Sequence, residues 1–211
     1  MKEQLTLDET VEMLRHVCDG MIASEPVLTD ADRAIGDGDH GLGMQRGFKA
    51  AREKLDAGGF ETIDKVFSGI GMALISSMGG ASGAIFGTFF RNGGKAIAGC
   101  AAFGGAELAS FLETGLEGVK SRGGAKGGDK TVIDALEPAA ASAKGKPALS
   151  EAVEAAADAA EEGKEKTRDM VATTGKARTL GERSLGHPDP GAISATLILR
   201  FMGEYLDDER L

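Results

Sequence analysis

The stretch TLDETVEMLRHVCDGM, residues 6–21, indicates the class of fold. Thr6 and Glu9 have the spacing of a capping box, in which each side chain accepts a hydrogen bond from the other residue's backbone N–H at a helix start. Apolar residues then recur at intervals of four, three and seven positions, as one face of an α-helix requires; they are Leu7, Val11, Leu14 and Met21. The stretch therefore predicts an amphipathic helix that begins directly after Thr6.

The same helical period recurs along the rest of the chain. It predicts further helices over residues 40–55, 63–74, 108–119, 131–143, 150–168 and 190–206, with Ser150 as the N-cap of one of them. Alternating apolar and polar residues, which mark strands, are scarce. We therefore expect an all-α fold of seven to nine helices, forming one domain over residues 1–211.

Composition and charge exclude several classes of function. A hydrophobic content of 42% and a charged content of 27% are those of an ordinary globular protein. The net charge of −9 argues against nucleic-acid binding, which needs a basic face. Because no long apolar run and no apolar signal region occur, we expect a cytoplasmic protein. Cys18 and Cys100 show no metal-ligand spacing, so reduced thiols are expected.

Glycine-rich segments separate the predicted helices. Bundle connections are usually short and need one glycine each, whereas long glycine-rich loops are typical of places where backbone approaches a ligand. Three such segments are predicted as loops: IGDGDHGLG at 35–43, SSMGGASGAIFG at 76–87 and SRGGAKGGDKT at 121–131. A fourth segment, TTGKARTLGERSLGHPDPGA at 173–192, is polar and precedes the last helix.

Four aspartates crowd the stretch DADRAIGDGDH; they are Asp30, Asp32, Asp37 and Asp39. Such carboxylates repel one another unless a positive group lies among them, and Mg²⁺ prefers a few carboxylates together with waters and phosphates. A solvated acidic turn, or Asp39 acting only as a helix cap, are the alternatives. A calcium EF-hand is excluded, because Phe48 stands where the bidentate glutamate is required.

Two further groups suggest anion binding. His40 has no Cys or His at zinc spacing, which leaves a phosphate hydrogen bond or a structural role. The backbone N–H groups and Ser82 hydroxyl of GGASG, residues 79–83, form either an anion-binding nest or a tight helix contact. Neither a Walker A string nor a Rossmann fingerprint is present in the sequence.

The last polar segment carries Lys176, Arg178, Arg183 and His187, which could meet phosphates or the acidic cluster, or form ordinary solvated ion pairs. No Ser/His/Asp or Cys/His arrangement has spacing that supports nucleophilic catalysis. The chemistry that remains is electrostatic, with a divalent metal and backbone donors stabilising a phosphoryl group in transfer.

Four motifs occur in order: IGDGDHG at 35–41, GGASG at 79–83, GDKT at 128–131 and GERSLGHPDPGA at 181–192. Together they resemble the nucleotide-binding L subunit of bacterial dihydroxyacetone kinase, over essentially the whole chain. The resemblance implies a barrel of about eight antiparallel amphipathic helices, with ADP or ATP bound among loops at one end.

The resemblance also implies a set of site residues. Two Mg²⁺ ions are expected on Asp32, Asp37 and Asp39, and Asp30 lies outside that set. The positions that match nucleotide contacts are His40, Gly41, Leu42, Gly43, Ala81, Ser82, Gly123, Val132, Lys176, Asp189, Pro190 and Gly191. No catalytic nucleophile is expected, because a K-type partner subunit holds the ketose covalently through a histidine. The resemblance implies one of two phosphoryl sources: ATP that exchanges in each cycle, or a phosphotransferase-system protein that recharges resident ADP.

Two positions depart from the family. Asn is frequent where this chain has Gly43, and Arg is frequent where it has Lys176, whose ammonium cannot copy a bidentate guanidinium. Arg178 is a candidate replacement. Relatives act on other short ketoses, so dihydroxyacetone is the default substrate. Two alternatives stay open: the ATP-binding module of a fatty-acid kinase, whose motif lacks the histidine found at His40, and a nucleotide-dependent regulator that docks on a transcription factor.

Overall fold

The helical period of the sequence is realised as nine α-helices within residues 2–207, the part of the chain that this computed structural model describes. Two 3-10 helices, Thr167–Asp169 and Lys176–Ser184, lie before the last α-helix, and strands β1 (Gln4–Leu5) and β2 (Phe103–Gly104) pair antiparallel. The α-helices are α1 Leu7–Ala23, α2 Glu25–Ile35, α3 His40–Ala57, α4 Ile63–Ser77, α5 Gly80–Ala96, α6 Gly105–Gly123, α7 Ile133–Ala143, α8 Leu149–Lys166 and α9 Pro190–Asp207.

Eight of these helices form a closed ring. α1 packs on α3, each helix from α3 to α9 packs on the next, and α9 returns to pack on α1. α2 stands outside this succession, packed mainly on α3. The predicted all-α barrel of about eight antiparallel helices is therefore confirmed, and it places the first residues of α3, α5, α7 and α9 together.

Phenylalanine rings fill much of the barrel interior. Phe67 from α4 and Phe111 from α6 meet with ring centroids 4.6 Å apart, and Phe90 from α5 lies 5.9 Å from Phe111. All three rings are buried, and their tilted or edge-on contacts are the arrangements that aromatic pairs favour. The core therefore joins the middle helices of the ring directly to one another.

The predicted start of α1 is confirmed. The Thr6 hydroxyl accepts from the Glu9 N–H at 3.3 Å, and the Thr6 N–H donates to the Glu9 carboxylate at 2.8 Å. The predicted N-cap of α8 is wrong, because Ala148 occupies that position and Ser150 lies in the first turn. The N–H groups of Leu149 and Ser150 donate instead to main-chain carbonyls of residues 3 and 2, at 2.9 and 3.1 Å. A tertiary contact thus satisfies the donors that a capping side chain would otherwise bind.

Two helices were absent from the sequence-based expectation, α2 and α5. The segment 76–87 was predicted as a loop, but only Met78 and Gly79 form a turn there and α5 begins at Gly80. Gly87, at the end of this segment, serves packing, because a Cβ on Gly71 of α4 would lie 2.7 Å from the Gly87 carbonyl oxygen. Glycine at these two positions therefore lets α4 and α5 approach closely.

Three further expectations concern the chain as a whole. Within residues 2–207, no helix is long and apolar enough to cross a membrane. Cys18 and Cys100 are free thiols, and burial raises the pKa of Cys18 to about 12. The single domain over residues 1–211 stays a prediction, and residues 1 and 208–211 lie outside the described range.

Candidate functional site

A cavity of about 630 Å³ opens where four helices begin. His40, Gly80, Ile133 and Pro190, the first residues of α3, α5, α7 and α9, all line it. The first N–H groups of a helix lack intrahelical partners and carry partial positive charge, so this end of the barrel attracts anions. The arrangement explains how a chain with a net charge of −9 can offer an anion site without a basic surface.

The barrel brings most of the predicted site residues to this cavity from distant parts of the chain. Asp37 and Gly41 are the two predicted residues that do not line it. Those that line it are Asp32, Asp39, His40, Leu42, Gly43, Ala81, Ser82, Gly123, Val132, Lys176, Asp189, Pro190 and Gly191. Their contact with a nucleotide stays a prediction.

Three carboxylates meet at the edge of the cavity. One oxygen from each of Asp32, Asp37 and Asp39 lies within 4.8 Å of the others. Asp32 is buried at the end of α2 and accepts the backbone N–H of His40 at 3.1 Å, while Gly38 at φ 77° turns the chain between the other two aspartates. Three hard oxygen donors with an open side toward the cavity fit Mg²⁺, which keeps waters and phosphate oxygens as its remaining ligands.

The positive group beside these carboxylates in the structure is the Lys176 ammonium. It donates to the carboxylates of Asp37 and Asp39, with 3.1 Å to Asp39. The hydrogen bond between Lys176 and Asp37 lowers the pKa of Asp37 and raises the pKa of Lys176. All three side chains are more than half exposed, so the pairs contribute little to stability. Lys176 therefore relieves the acidic crowding without burying charge.

His40 ties three helices together beside the acidic cluster. Its Nε2 lies 2.8 Å from the Ser194 hydroxyl of α9, and its Nδ1 lies 3.2 Å from the Ser82 hydroxyl of α5. The Ser194 hydroxyl donates to the Pro190 carbonyl at 3.1 Å, so it accepts from Nε2–H and leaves Nδ1 to accept from Ser82. Burial lowers the pKa of His40, which favours this neutral form. A structural role for His40 is therefore evident, and its nucleotide contact stays a prediction.

Gly41 and Gly43 lie on the same helix but face different surroundings. A Cβ on Gly41 would overlap the Thr29 hydroxyl and the Glu25 carbonyl oxygen of α2, and would lie 2.6 Å from the Thr29 nitrogen. A Cβ on Gly43 would meet only the Met78 carbonyl oxygen, at 3.9 Å, within the cavity wall. Gly41 therefore allows α2 to pack on α3, whereas Gly43 leaves open space at the cavity.

Two basic residues that line the cavity were not among the predicted site residues. The Arg46 guanidinium donates to the Met78 carbonyl at 2.8 Å and supports the turn before α5. Lys130 belongs to the GDKT motif and was given no role from the sequence, yet it is buried at the cavity wall. The GDKT motif contained the available signal, but nothing local in it indicates that this lysine points inward.

Asp189 caps α9 at the inner end of the site. Its carboxylate accepts the Ala192 N–H at 2.7 Å, and burial raises its pKa to about 7. Since the folded pKa lies above the unfolded one, the stability associated with protonated Asp189 is complete below about pH 4 and is lost as the pH rises through 7.

Asp189→Asn keeps the capping oxygen and stays neutral at every pH. We therefore predict that its free energy of unfolding, relative to that of the parent, rises by about 1–2 kcal/mol as the pH goes from 5 to 8. Urea denaturation at several pH values measures this difference. Asp129→Asn is the control, because the pKa of that carboxyl is lowered and its contribution is constant over this window. A difference between Asp189→Asn and parent that does not change with pH would contradict the prediction.

The fold and the site together define an all-α barrel with four helix starts and a cluster of three carboxylates at one end, around a cavity. Comparison with known proteins identifies the protein family. The model of the DAK2 domain matches residues 34–204, and the chain belongs to this family.

Relatives named as kinase subunits match most of the chain. The ADP-binding subunit DhaL of PEP-dependent dihydroxyacetone kinase 1 from Listeria innocua is 39% identical over 179 residues, covering 85% of this chain and 86% of the relative. The ADP-binding subunit DhaL of the PEP-dependent dihydroxyacetone kinase of Escherichia coli is 39% identical over 202 residues, covering 94% and 96%. The chain is thus similar in extent as well as sequence to separate subunits of such kinases.

A solved structure shows the same fold. The dihydroxyacetone kinase from C. freundii in complex with AMP-PNP and Mg²⁺ matches with a TM-score of 0.76 and 28% sequence identity. The match covers 97% of this chain and 35% of that one. This chain therefore spans about a third of that kinase.

Proposed function

We propose that the chain is the nucleotide-binding, phosphoryl-donating subunit of a two-component kinase for dihydroxyacetone or a related short ketose. It binds Mg-complexed ATP or ADP in the cavity and passes the terminal phosphoryl group to a ketose held covalently on a K-type partner subunit. The proposal includes two Mg²⁺ ions on Asp32, Asp37 and Asp39, as the family resemblance implies.

One observation carries this proposal: the three carboxylates converge beside a cavity at which four helices begin. A cluster that binds cations next to donors that bind anions suits a nucleotide polyphosphate with its metal. The names of the relatives, ADP-binding subunits of dihydroxyacetone kinases, support the same ligand. So does the AMP-PNP and Mg²⁺ in the name of the matching structure.

The residues of the chain bind and orient the phosphates rather than react with them. The N–H groups at the start of α5 offer donors, and the Ser82 hydroxyl in that first turn is bonded to His40, which holds the turn in place. Mg²⁺ on the three carboxylates supplies neutralisation of phosphate charge when it is bound. Lys176 supplies a positive charge beside the acidic cluster. Catalysis is therefore electrostatic, in agreement with the absence of a nucleophile from the sequence motifs.

The experiment that tests the function combines the purified chain with a ketose-binding K-type subunit, Mg·ATP and a panel of short ketoses. We expect sugar phosphate to appear only when both proteins are present, with dihydroxyacetone as the first substrate to try. If the two proteins form a complex and no phosphate moves to any ketose, the kinase proposal fails.

The phosphoryl source is tested separately. Purified protein that keeps stoichiometric ADP after extensive dialysis would support a resident ADP that a phosphotransferase-system protein recharges. Rapid exchange of labelled ADP, with turnover on ATP alone, would support ATP as the donor. Both outcomes leave the assignment of the nucleotide site unchanged, so the two questions remain distinguishable.

A further inference from the structure

Lys130 is a buried lysine that the proposed function leaves without a role. It is 2% exposed, and it is the one non-glycine residue with positive φ, at 61°, among residues 2–207. The Asp134 carboxylate accepts the N–H groups of Gly128 and Thr131 at 2.6 and 2.7 Å and thereby holds the backbone on either side. A strained backbone and a buried charge both cost free energy, and such features concentrate where a side chain has a specific task.

The Lys130 ammonium joins two points that lie far apart in sequence. It donates to the carbonyl oxygens of Thr167 and His187, each at 2.6 Å. These residues flank a polar loop, residues 168–186. The loop ends also contact each other, because the Gly186 N–H donates to the Arg168 carbonyl at 2.8 Å and the Arg168 guanidinium donates to the Gly186 carbonyl at 3.0 Å. We call these two ends, residues 167–168 and 186–187, the neck of the polar loop. The buried Lys130 ammonium therefore holds the two sides of the neck together.

The polar loop reaches the metal-binding side of the site. Its Lys176 bonds the carboxylates of Asp37 and Asp39, and its Thr173 hydroxyl donates to the Asp129 carboxylate at 2.7 Å. The neck also holds the start of α9, since the Asp189 N–H donates to the Thr167 hydroxyl at 2.9 Å. A displacement of the neck would thus move both a cavity cation and a cavity-lining helix start.

We propose that Lys130 is a positioning residue, whose buried ammonium closes the neck of the polar loop and so places Lys176 over the acidic cluster and the start of α9 at the cavity. It acts through main-chain carbonyls and not through the nucleotide. The inference deepens the proposed function, and only its binding measurement rests on that function.

Limited proteolysis tests the positioning directly. Trypsin sites after Arg178 and Arg183 lie exposed in the polar loop. In Lys130→Met, which keeps the side-chain length and removes the ammonium, we expect cleavage at these sites to rise at least roughly tenfold, because two charge-assisted hydrogen bonds are lost. Cleavage within α3 and α6 should stay at the parental rate, under conditions where circular dichroism shows full helicity. Lys126→Met, an exposed lysine of the preceding loop, is the matched control and should resemble the parent.

Binding of Mg·ADP by titration calorimetry provides the second measurement, with an expected loss of about tenfold in Lys130→Met and none in Lys126→Met. Faster loop cleavage together with weaker binding supports the proposal. Parental loop cleavage in folded Lys130→Met overturns it, and so does faster cleavage spread over the whole chain. If the Met variant does not fold, Lys130→Gln, whose side chain is uncharged and shorter and so loses the charge-assisted bonds to the two carbonyls, is compared with the parent by the same criteria. Failure of the parent to bind Mg·ADP would contradict the proposed function, while the cleavage comparison would still decide the role of Lys130.

Discussion

Asp37→Asn and Asp39→Asn should each weaken Mg·ADP binding by at least roughly 100-fold, about 2.7 kcal/mol, while the helical fold stays intact. An amide has nearly the shape of a carboxylate but lacks the charge that a hard divalent cation requires. Both side chains are more than half exposed, so their loss costs the core nothing. Titration calorimetry with Mg²⁺ and with EDTA, alongside thermal denaturation, measures the two effects.

The chain provides a matched control in the same stretch. Asp30 is exposed, pairs with Arg33 at 3.1 Å and takes no part in the three-carboxylate cluster. Asp30→Asn should therefore bind Mg·ADP like the parent. A variant of Asp37 or Asp39 with parental Mg·ADP affinity would remove the metal site from the proposed function.

The structure changes the expected effect of these substitutions on the stability of the metal-free protein. Crowded carboxylates alone predict that removing one of them stabilises the metal-free protein, since repulsion is relieved. In the structure the Lys176 ammonium already lies between Asp37 and Asp39. We therefore expect the melting temperature of the metal-free variants to stay close to that of the parent, because an exposed ion pair and the repulsion it offsets are both small.

Gly41→Ala should lower the free energy of unfolding by about 1–3 kcal/mol, because the new methyl group overpacks the contact between α2 and α3. The Glu25 carbonyl and the Thr29 backbone, which the methyl would meet, belong to α2 and cannot rotate away as a side chain would. Asp32 of α2 is bonded to the His40 N–H of α3, so separating the helices also disturbs the proposed metal ligands. We therefore expect weaker Mg·ADP binding as well. Urea denaturation and calorimetry measure the two losses.

Gly43→Ala makes the same chemical change two residues later. Its methyl would meet one carbonyl oxygen at 3.9 Å, an ordinary contact. Alanine is a better helix former than glycine by up to about 1 kcal/mol, so Gly43→Ala should equal or exceed the parent in stability. Equal stability of the two variants would show that α2 does not pack tightly on α3. The open space at Gly43 also means that the asparagine frequent in the family could be accommodated there.

The accuracy of the sequence-based predictions depended on how local each signal was. The capping box at Thr6 and the proline start at Pro190 depend on neighbouring residues, and the structure has both helix starts where they were expected. α5 was missed because its glycines resemble a loop in sequence, although Phe86, Phe89 and Phe90 carry a helical period. The start of α8 was misplaced because its capping carbonyls come from the N-terminal residues, far away in sequence.

The predicted site residues also depended on whether their signal was local in sequence. Spacing alone pointed to four crowded aspartates, and the family resemblance narrowed them to Asp32, Asp37 and Asp39, whose carboxylates converge in the structure. The family motifs pointed to residues that line the cavity, including Ser82 and Lys176. Lys130 was overlooked because its function depends on carbonyl groups 37 and 57 residues away, which no local pattern reports.

The sequence by itself determined an all-α chain with an acidic turn, because helical period, caps and turn chemistry act over a few residues. Only the tertiary structure decided that four helix starts meet at one cavity, and that Lys176 crosses 137 residues of sequence to reach Asp39. It also decided that Gly41 serves packing and that Gly43 faces the cavity, although both belong to one glycine-rich segment. The physical reason is that closure of the helical ring, a product of core packing over the whole chain, sets which distant groups become neighbours.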